Sequence, residues 1–152
     1  PASAPASAPA SVPASVPAWL RDAAARPEAV QVLELRRRGM AALPACVSSM
    51  RALRVLDVSE NRLESLPESI GMLQQLRELL AASNELQRLP ARLSELPHLT
   101  VVNIQGNRFA TLPKELLRCR RLHYLRWGAQ KVAAEAAGGA TGGDGDWRPL
   151  EA

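Results

Sequence analysis

The hydrophobic positions of the chain recur with a period of 23 residues. Full units begin at Val30, Leu53, Leu76 and Leu99, and a truncated unit begins at Leu122. Within each full unit the apolar side chains occupy equivalent positions, and a Leu-Pro pair falls at the same point. A fixed period of this length predicts a protein built from stacked copies of one small structural unit.

The spacing inside one unit predicts a short strand. Leu56 and Val58 are two residues apart, so both side chains point to the same side of a strand, toward the core. Val55, Asp57 and Ser59 alternate with them and are therefore expected to point outward.

Asparagine and proline mark the rest of each unit. Asn61, Asn84 and Asn107 fall at the same position in successive units, where an amide can satisfy backbone groups of a tight turn. We expect these three side chains to stack as a ladder. Pro67 and its equivalents are expected to begin a short helical turn, where a missing N–H costs least. Stacked units of this kind form one continuous core.

The pattern LxxLxLxxNxLxxLPxxLxxLxx resembles the intracellular 23-residue leucine-rich repeat of Scribble, Erbin, Ras-suppressor and the plant Ras-group proteins. The resemblance covers Val30 to about Trp127. It implies an α/β solenoid, a short right-handed coil with parallel strands on the concave face and short helical turns on the convex face. The first unit departs from the pattern, because Arg38 and Gly39 stand where the asparagine is expected. We therefore expect the ladder to begin at Asn61.

Composition divides the chain into four segments. Residues 1–17 are a low-complexity Pro/Ala/Ser arm, and residues 18–29 are a capping helix broken by Pro27. Residues 30–128 are the repeat domain of four full units and a truncated fifth. Residues 129–152 are expected to form a brief helix and a flexible, glycine-rich tail.

The outward strand positions predict a contact surface, because they line the concave face of a solenoid. An apolar track runs along this face, with acidic residues toward the first units and a basic residue at the last. The alternative is that β-branched residues merely suit strands. Exposed contiguous apolar surface usually marks a contact site, which favours partner binding. The predicted partner-binding residues are Val32, Val55, Asp57, Glu78, Leu80, Val101, Asn103, Tyr124 and Arg126.

A second, basic set lies on the predicted convex side of the fourth unit. Its members are Lys114, Arg118, Arg120 and Arg121, and aromatic Tyr124 follows closely. Basic residues beside an aromatic ring are compatible with RNA or ribonucleoprotein binding. The alternative interpretation is a solvated helical turn.

The net charge and the cysteines bear on the class of partner and on the cellular compartment. The formal net charge is +4, which suits acidic partners without requiring them. Cys46 and Cys119 lie three units apart, so at about 4.8 Å per strand they are too distant for a disulfide. Two free cysteines favour a reducing intracellular compartment, either the cytoplasm or an organelle matrix. The chain begins at Pro1 rather than Met, so we expect a fragment or a processed form.

The sequence contains no pattern that predicts catalysis, a cofactor site or a metal site, and no apolar run long enough to span a bilayer. We therefore expect a non-enzymatic protein-interaction module, a scaffold or accessory subunit whose two tails lace across neighbouring subunits. Its partners are expected to be proteins of a larger complex rather than small-molecule substrates. The family resemblance implies small GTPases or phosphatase catalytic subunits as partner classes.

Overall fold

The computed structural model describes residues 18–128, residue 130 and the backbone of residues 148–149. Their strands form a single sheet in which spatial order follows chain order. Five of these strands are parallel neighbours, and the sixth pairs antiparallel with the fifth. The strands are β1 (Val32–Glu34), β2 (Val55–Asp57), β3 (Glu78–Leu80), β4 (Val101–Asn103), β5 (Tyr124–Arg126) and β6 (Arg148–Pro149).

The strand register repeats the sequence period. Leu56 pairs with Leu33 on one side and with Leu79 on the other, and both partners lie one period away. The middle residue of each parallel strand is buried, whereas its two neighbours are at least partly exposed. This is the alternation expected of a sheet with one face on the core and one face in water. The solenoid predicted from the spacing is confirmed.

Short helical turns form the side of the molecule opposite the sheet. The first three are 3₁₀ helices at Ala45–Ser49, Glu68–Met72 and Ala91–Glu95, and the fourth is α2 at Lys114–Leu117. A proline stands immediately before each turn. Its carbonyl accepts a hydrogen bond from the N–H three residues later, as in Ile70 to Pro67 at 3.0 Å. Because proline has no N–H to leave unpaired, it suits this position.

The core between the two sides is almost entirely aliphatic. Leu56, Leu76 and Leu79 have no exposed surface, and Phe109 is the one buried aromatic ring among the described residues. Helix α1 (Ala18–Ala25) packs at the start of this core, where Leu20 is fully buried. A terminal unit needs such a cover, since its apolar side otherwise faces water.

Close packing between turns requires a glycine at one point. A Cβ atom on Gly71 would lie 2.7 Å from the Cβ of Arg92, in the next unit's turn. Real Cβ atoms do not approach this closely, so Gly71 allows the second and third units to stack.

A ladder of side-chain amides holds the units together. The Asn84 Oδ1 accepts a hydrogen bond from the N–H of Leu63 at 3.1 Å, and its Nδ2 donates to the carbonyls of Val58 and Ala81. Asn61 and Asn107 make the equivalent bonds in their own units. Each amide therefore connects its own unit to the preceding one, inside the core where water cannot replace the bonds.

The ladder extends one step further than the sequence indicates. Gln130 stands at the position where the fifth unit lacks asparagine. Its Oε1 accepts a hydrogen bond from the N–H of Phe109 at 3.2 Å, and its Nε2 donates to the carbonyl of Ile104 at 3.1 Å. The substitution keeps both the donor and the acceptor of an amide. The Gln130 side chain therefore extends the ladder into the fifth unit.

One predicted orientation is wrong. Ser59 was expected to point outward from the strand, but it is only 8 % exposed. The chain has already turned at this residue, where the Ser59 N–H donates to the Asp57 Oδ1 at 2.9 Å. Strand alternation therefore ends at the buried Val58.

In the four full units, the residue before the ladder position adopts a left-handed conformation. Arg37, Glu60, Ser83 and Gly106 have φ values of 57°, 55°, 55° and 68°. Only one of the four is glycine, although this region disfavours residues with a Cβ. The turn into the ladder therefore imposes this backbone conformation on whichever residue is present.

Several predicted segments lie outside the described residues. These are the arm at residues 1–17, the brief helix at residues 131–137 and most of the tail up to residue 152. The side chain of Trp19, which was expected to help cover the first unit, also lies outside them.

Candidate functional site

The outward side of the sheet, called the concave face below, is built from two columns of side chains. Strand register aligns the first residue of each parallel strand in one column and the third residue in another. The first column is Val32, Val55, Glu78, Val101 and Tyr124. The second column is Glu34, Asp57, Leu80, Asn103 and Arg126.

These columns place apolar side chains in contact with water. Val32 is 55 % exposed and Tyr124 is 48 % exposed, at the two ends of the first column. Val55, Leu80 and Val101 between them are half-buried. The strands β2 to β5, which carry all of these side chains except Val32, are paired with a neighbouring strand on both sides, whereas β1 pairs with β2 alone.

The apolar track is not a straight line. Glu78 pairs with both Val55 and Val101, so a carboxylate interrupts the first column at its centre. On the same strand, β3, the second column supplies an apolar side chain instead. This is Leu80, which pairs with Asp57 and Asn103. The apolar surface therefore steps sideways at β3 and returns at β4.

The last unit presents an aromatic end to this face. Tyr124 and Arg126 flank the buried Leu125 on β5, and Trp127 follows directly. Trp127 occupies an inward position whose counterparts in the other units, such as Ile104, are fully buried, yet it is 36 % exposed. Among the described residues, the strand beyond β5 is the antiparallel β6.

A cluster of ionic groups lies at the other end, beside the first two strands. Arg36 and Arg37 both form salt bridges with the carboxylate of Glu60 in the next unit. Hydrogen bonds from Arg37 and then Arg36 hold the pKa of the Glu60 carboxyl below its usual value. The charge of Arg36 is thus already paired within the chain. Arg36 is therefore a poor candidate for contacting an acidic partner.

The structure divides the predicted basic set into two parts. Lys114 is the first residue of helix α2 and Arg118 directly follows its last residue, on the convex side. Arg120 and Arg121 follow in the loop that leads into β5. All four side chains are exposed, and none belongs to the salt bridges found among the described residues.

The described residues offer little for catalysis. They contain no group of three or more His, Cys, Asp or Glu side chains that could hold a metal ion. A surface depression of about 250 Å³ lies beside Phe109 and helix α2, lined by side chains such as Gln87, Thr111 and Glu115. Neither Cys46 nor Cys119 forms a disulfide, as predicted from their separation. Burial raises the pKa of the Cys119 thiol to about 11, which opposes a nucleophilic role at neutral pH.

Comparisons with known proteins agree with this architecture. The sequence model of the Leucine Rich Repeat family matches residues 52–73, which are the second unit. The solved structure of a TDR receptor is similar over 75 % of this chain, with 24 % sequence identity and a TM-score of 0.62. The fold is a leucine-rich-repeat solenoid.

A second solved structure, an LRR protein of Leptospira interrogans, is 19 % identical over 77 % of this chain, with a TM-score of 0.45. The chain spans 42 % of that protein and 25 % of the TDR receptor. No curated protein sequence matches the chain. None of the helices among the described residues has the length and apolar character needed to cross a membrane.

Sequence reasoning missed several features that shape this surface. The pairing of Arg36 and Arg37 with Glu60 depends on side-chain conformations that the repeat pattern does not specify. The exposure of Trp127 follows from its place in the last unit. The loops leading into the strands were also overlooked, because the repeat pattern leaves their positions unspecified.

Proposed function

We propose that the solenoid is a non-enzymatic protein-interaction module that binds a protein partner through its concave face. The observation that carries the proposal is the exposure of Val32 and Tyr124 on a sheet whose other face is fully committed to the core. Folding does not require large apolar side chains at these positions. If a partner buried these side chains, the removal of their apolar surface from water would stabilise the complex.

The distribution of charged side chains along the concave face favours a partner that binds in one orientation. Glu34, Asp57 and Glu78 lie on the first three strands, whereas Arg126 lies on the last. A partner of complementary charge is favoured in one direction along the face and disfavoured in the other. The apolar side chains between these ends supply affinity, with Tyr124 as the main anchor because aromatic residues dominate interface energetics.

The wider role that we propose is a scaffold or accessory subunit of a larger assembly. The low-complexity composition of residues 1–17 and 129–152 supports it, since Pro/Ala/Ser-rich and Gly-rich segments suit the lacing of neighbouring subunits. Small GTPases and phosphatase catalytic subunits are candidate partners on the family resemblance. The two free cysteines support a reducing intracellular compartment.

Two replacements on the concave face test the proposal. Leu80→Glu and Tyr124→Ala are expected to keep the melting temperature of the parent, because neither side chain belongs to the core. Truncating an interface anchor costs about 2 kcal/mol or more, so we expect affinity for the native partner to fall roughly thirtyfold.

Leu117→Glu is the matched control. Leu117 is 65 % exposed on the convex helix α2, so this variant makes the same chemical change away from the concave face. We expect it to bind like the parent. Equal loss of binding in Leu80→Glu and Leu117→Glu, or retained binding in both concave variants, would place the contact elsewhere.

A further inference from the structure

The loops that lead into the strands form one flank of the solenoid. Backbone hydrogen bonds connect these loops directly from unit to unit. The N–H of Arg54 donates to the carbonyl of Gln31 at 2.7 Å, and the N–H of Arg77 donates to the carbonyl of Arg54 at 2.8 Å. Thr100 donates to Arg77, and His123 donates to Thr100, both at 2.9 Å. These residues therefore form a continuous column beside the sheet.

The four loops of this flank that lead into β2, β3, β4 and β5 carry positive charge and no carboxylate. They are residues 51–54, 74–77, 97–100 and 120–123, and none contains Asp or Glu, whereas the corresponding loop into β1, residues 28–31, contains the exposed Glu28. We call their arginines the basic flank. Its members, all exposed, are Arg51, Arg54, Arg77, Arg120 and Arg121.

The opposite flank shows that this charge bias is specific to one side. Two of its loops, at residues 62–65 and 85–88, carry both arginine and glutamate, and the third, at residues 108–111, carries Arg108. There, the guanidinium of Arg108 pairs with the carboxylate of Glu85 at 3.2 Å. No member of the basic flank takes part in a salt bridge among the described residues. Its positive charge is thus left for another molecule.

The basic flank borders the apolar track. Arg54 immediately precedes Val55, and His123 immediately precedes Tyr124, so each loop continues into the first column of the concave face. A molecule seated on both surfaces meets positive charge along one edge and, except at Glu78, apolar side chains along the other.

We propose that the basic flank and the first column together bind an extended polypeptide segment that alternates acidic and apolar side chains. Guanidinium groups bind carboxylates through paired hydrogen bonds, and the valines take up the apolar side chains. The inference rests on the proposed function and specifies the chemistry of the partner. A nucleic acid fits less well, because Tyr124 is the single aromatic ring in the first column, whereas Val32, Val55 and Val101 offer no flat ring on which successive bases could stack.

The test uses the full chain and short fluorescent probes in an anisotropy titration. The first probe is a peptide in which glutamate and leucine alternate, and the second is an oligouridylate of similar charge. The test variant is Arg54→Glu with Arg77→Glu. The matched control is Arg62→Glu with Arg88→Glu, which makes the same charge change at exposed positions on the opposite flank.

We expect the test variant to weaken peptide binding by about tenfold at low salt, since two ion pairs are replaced by two repulsions. The control variant is expected to change binding less than about twofold, after allowance for the equal change in net charge. Equal weakening in both variants would overturn the proposal by showing an unspecific charge effect. Tighter binding of the oligouridylate, lost in the same test variant, would overturn it in favour of nucleic acid.

A second readout separates this inference from the proposed function. If Arg54→Glu with Arg77→Glu keeps the native partner while Leu80→Glu loses it, the concave site stands and the acidic partner segment is wrong. If both variants lose the partner with an unchanged melting temperature, both proposals are supported. If only the flank variant loses it, the flank is the contact and the concave site is wrong.

Discussion

The amide ladder makes a strong prediction about stability, and Asn84 is the best place to test it. Its side chain has no exposed surface. Replacing it with alanine removes the acceptor of the Leu63 N–H and the donor to the carbonyls of Val58 and Ala81.

The cost can be estimated group by group. The Val58 carbonyl keeps a hydrogen bond from Asn61 at 2.8 Å, and the Ala81 carbonyl keeps one from Asn107 at 2.9 Å. The Leu63 N–H loses its only side-chain acceptor, and an unsatisfied buried donor costs about 1–3 kcal/mol. With about 1 kcal/mol more for the lost bonds to the carbonyls, Asn84→Ala should lower the free energy of unfolding by about 3 kcal/mol.

Urea unfolding followed by circular dichroism measures this difference, with Asn103→Ala as the matched control. The Asn103 side chain is half-buried on the concave face and accepts one hydrogen bond, from the Gln105 N–H at 3.2 Å. Water can replace that bond, so the control should lose less than about 1 kcal/mol. If the two variants unfold at similar urea concentrations, the ladder does not hold the units together.

The remaining predictions concern the core, the stacking of turns and two titrating groups. Leu79→Asp buries an unpaired charge in the central unit and should abolish the cooperative melt in circular dichroism. Gly71→Ala should lower the free energy of unfolding by about 1–3 kcal/mol in urea, because the new Cβ overlaps the neighbouring turn. In the folded protein, alkylation at pH 8 should be slower at Cys119 than at half-buried Cys46, since burial raises the pKa of Cys119 to about 11. Glu60→Gln should be less stable than the parent at neutral pH. That difference should vanish as the pH falls through the lowered folded-state pKa of Glu60.

Each of these predictions has a clear contrary result. A Leu79→Asp melt like that of the parent would mean that the repeat phase is wrong. Unchanged stability of Gly71→Ala would mean that the turns separate at no cost. Equal alkylation rates of the two thiols before and after addition of urea would argue against a buried Cys119. A Glu60→Gln difference that is constant with pH would remove the ion pairs as its cause.

The core could be predicted well from the sequence, because its residues recur with the 23-residue period. Leu56, Leu79 and the ladder asparagines recur at one spacing, and strand alternation assigns each of them a side. Similarly, the separation of Cys46 and Cys119 follows from counting units. These features depend on the chain's periodicity rather than on details of side-chain conformation.

The surface of the candidate site could be predicted only in part. The sequence identifies Tyr124 and Leu80 as outward-facing, but the lateral step at Glu78 emerges only when the strands are placed side by side. The left-handed conformation at Ser83 has no signal in its residue type, because the turn into the ladder imposes it. The role of Gln130 in the ladder emerges only from its hydrogen bonds, since a search for asparagine at this spacing passes over a glutamine.

The most direct test of the central claim is site-specific photocrosslinking to the native partner. A photoreactive phenylalanine analogue replaces Tyr124 on the concave face in one variant and Leu117 on the convex face in another. Both native side chains are exposed, at 48 % and 65 %, so neither replacement disturbs the core. The account predicts a crosslinked partner from position 124 and none from position 117. Crosslinking from position 117 alone would show that the partner binds the convex side and would contradict the account.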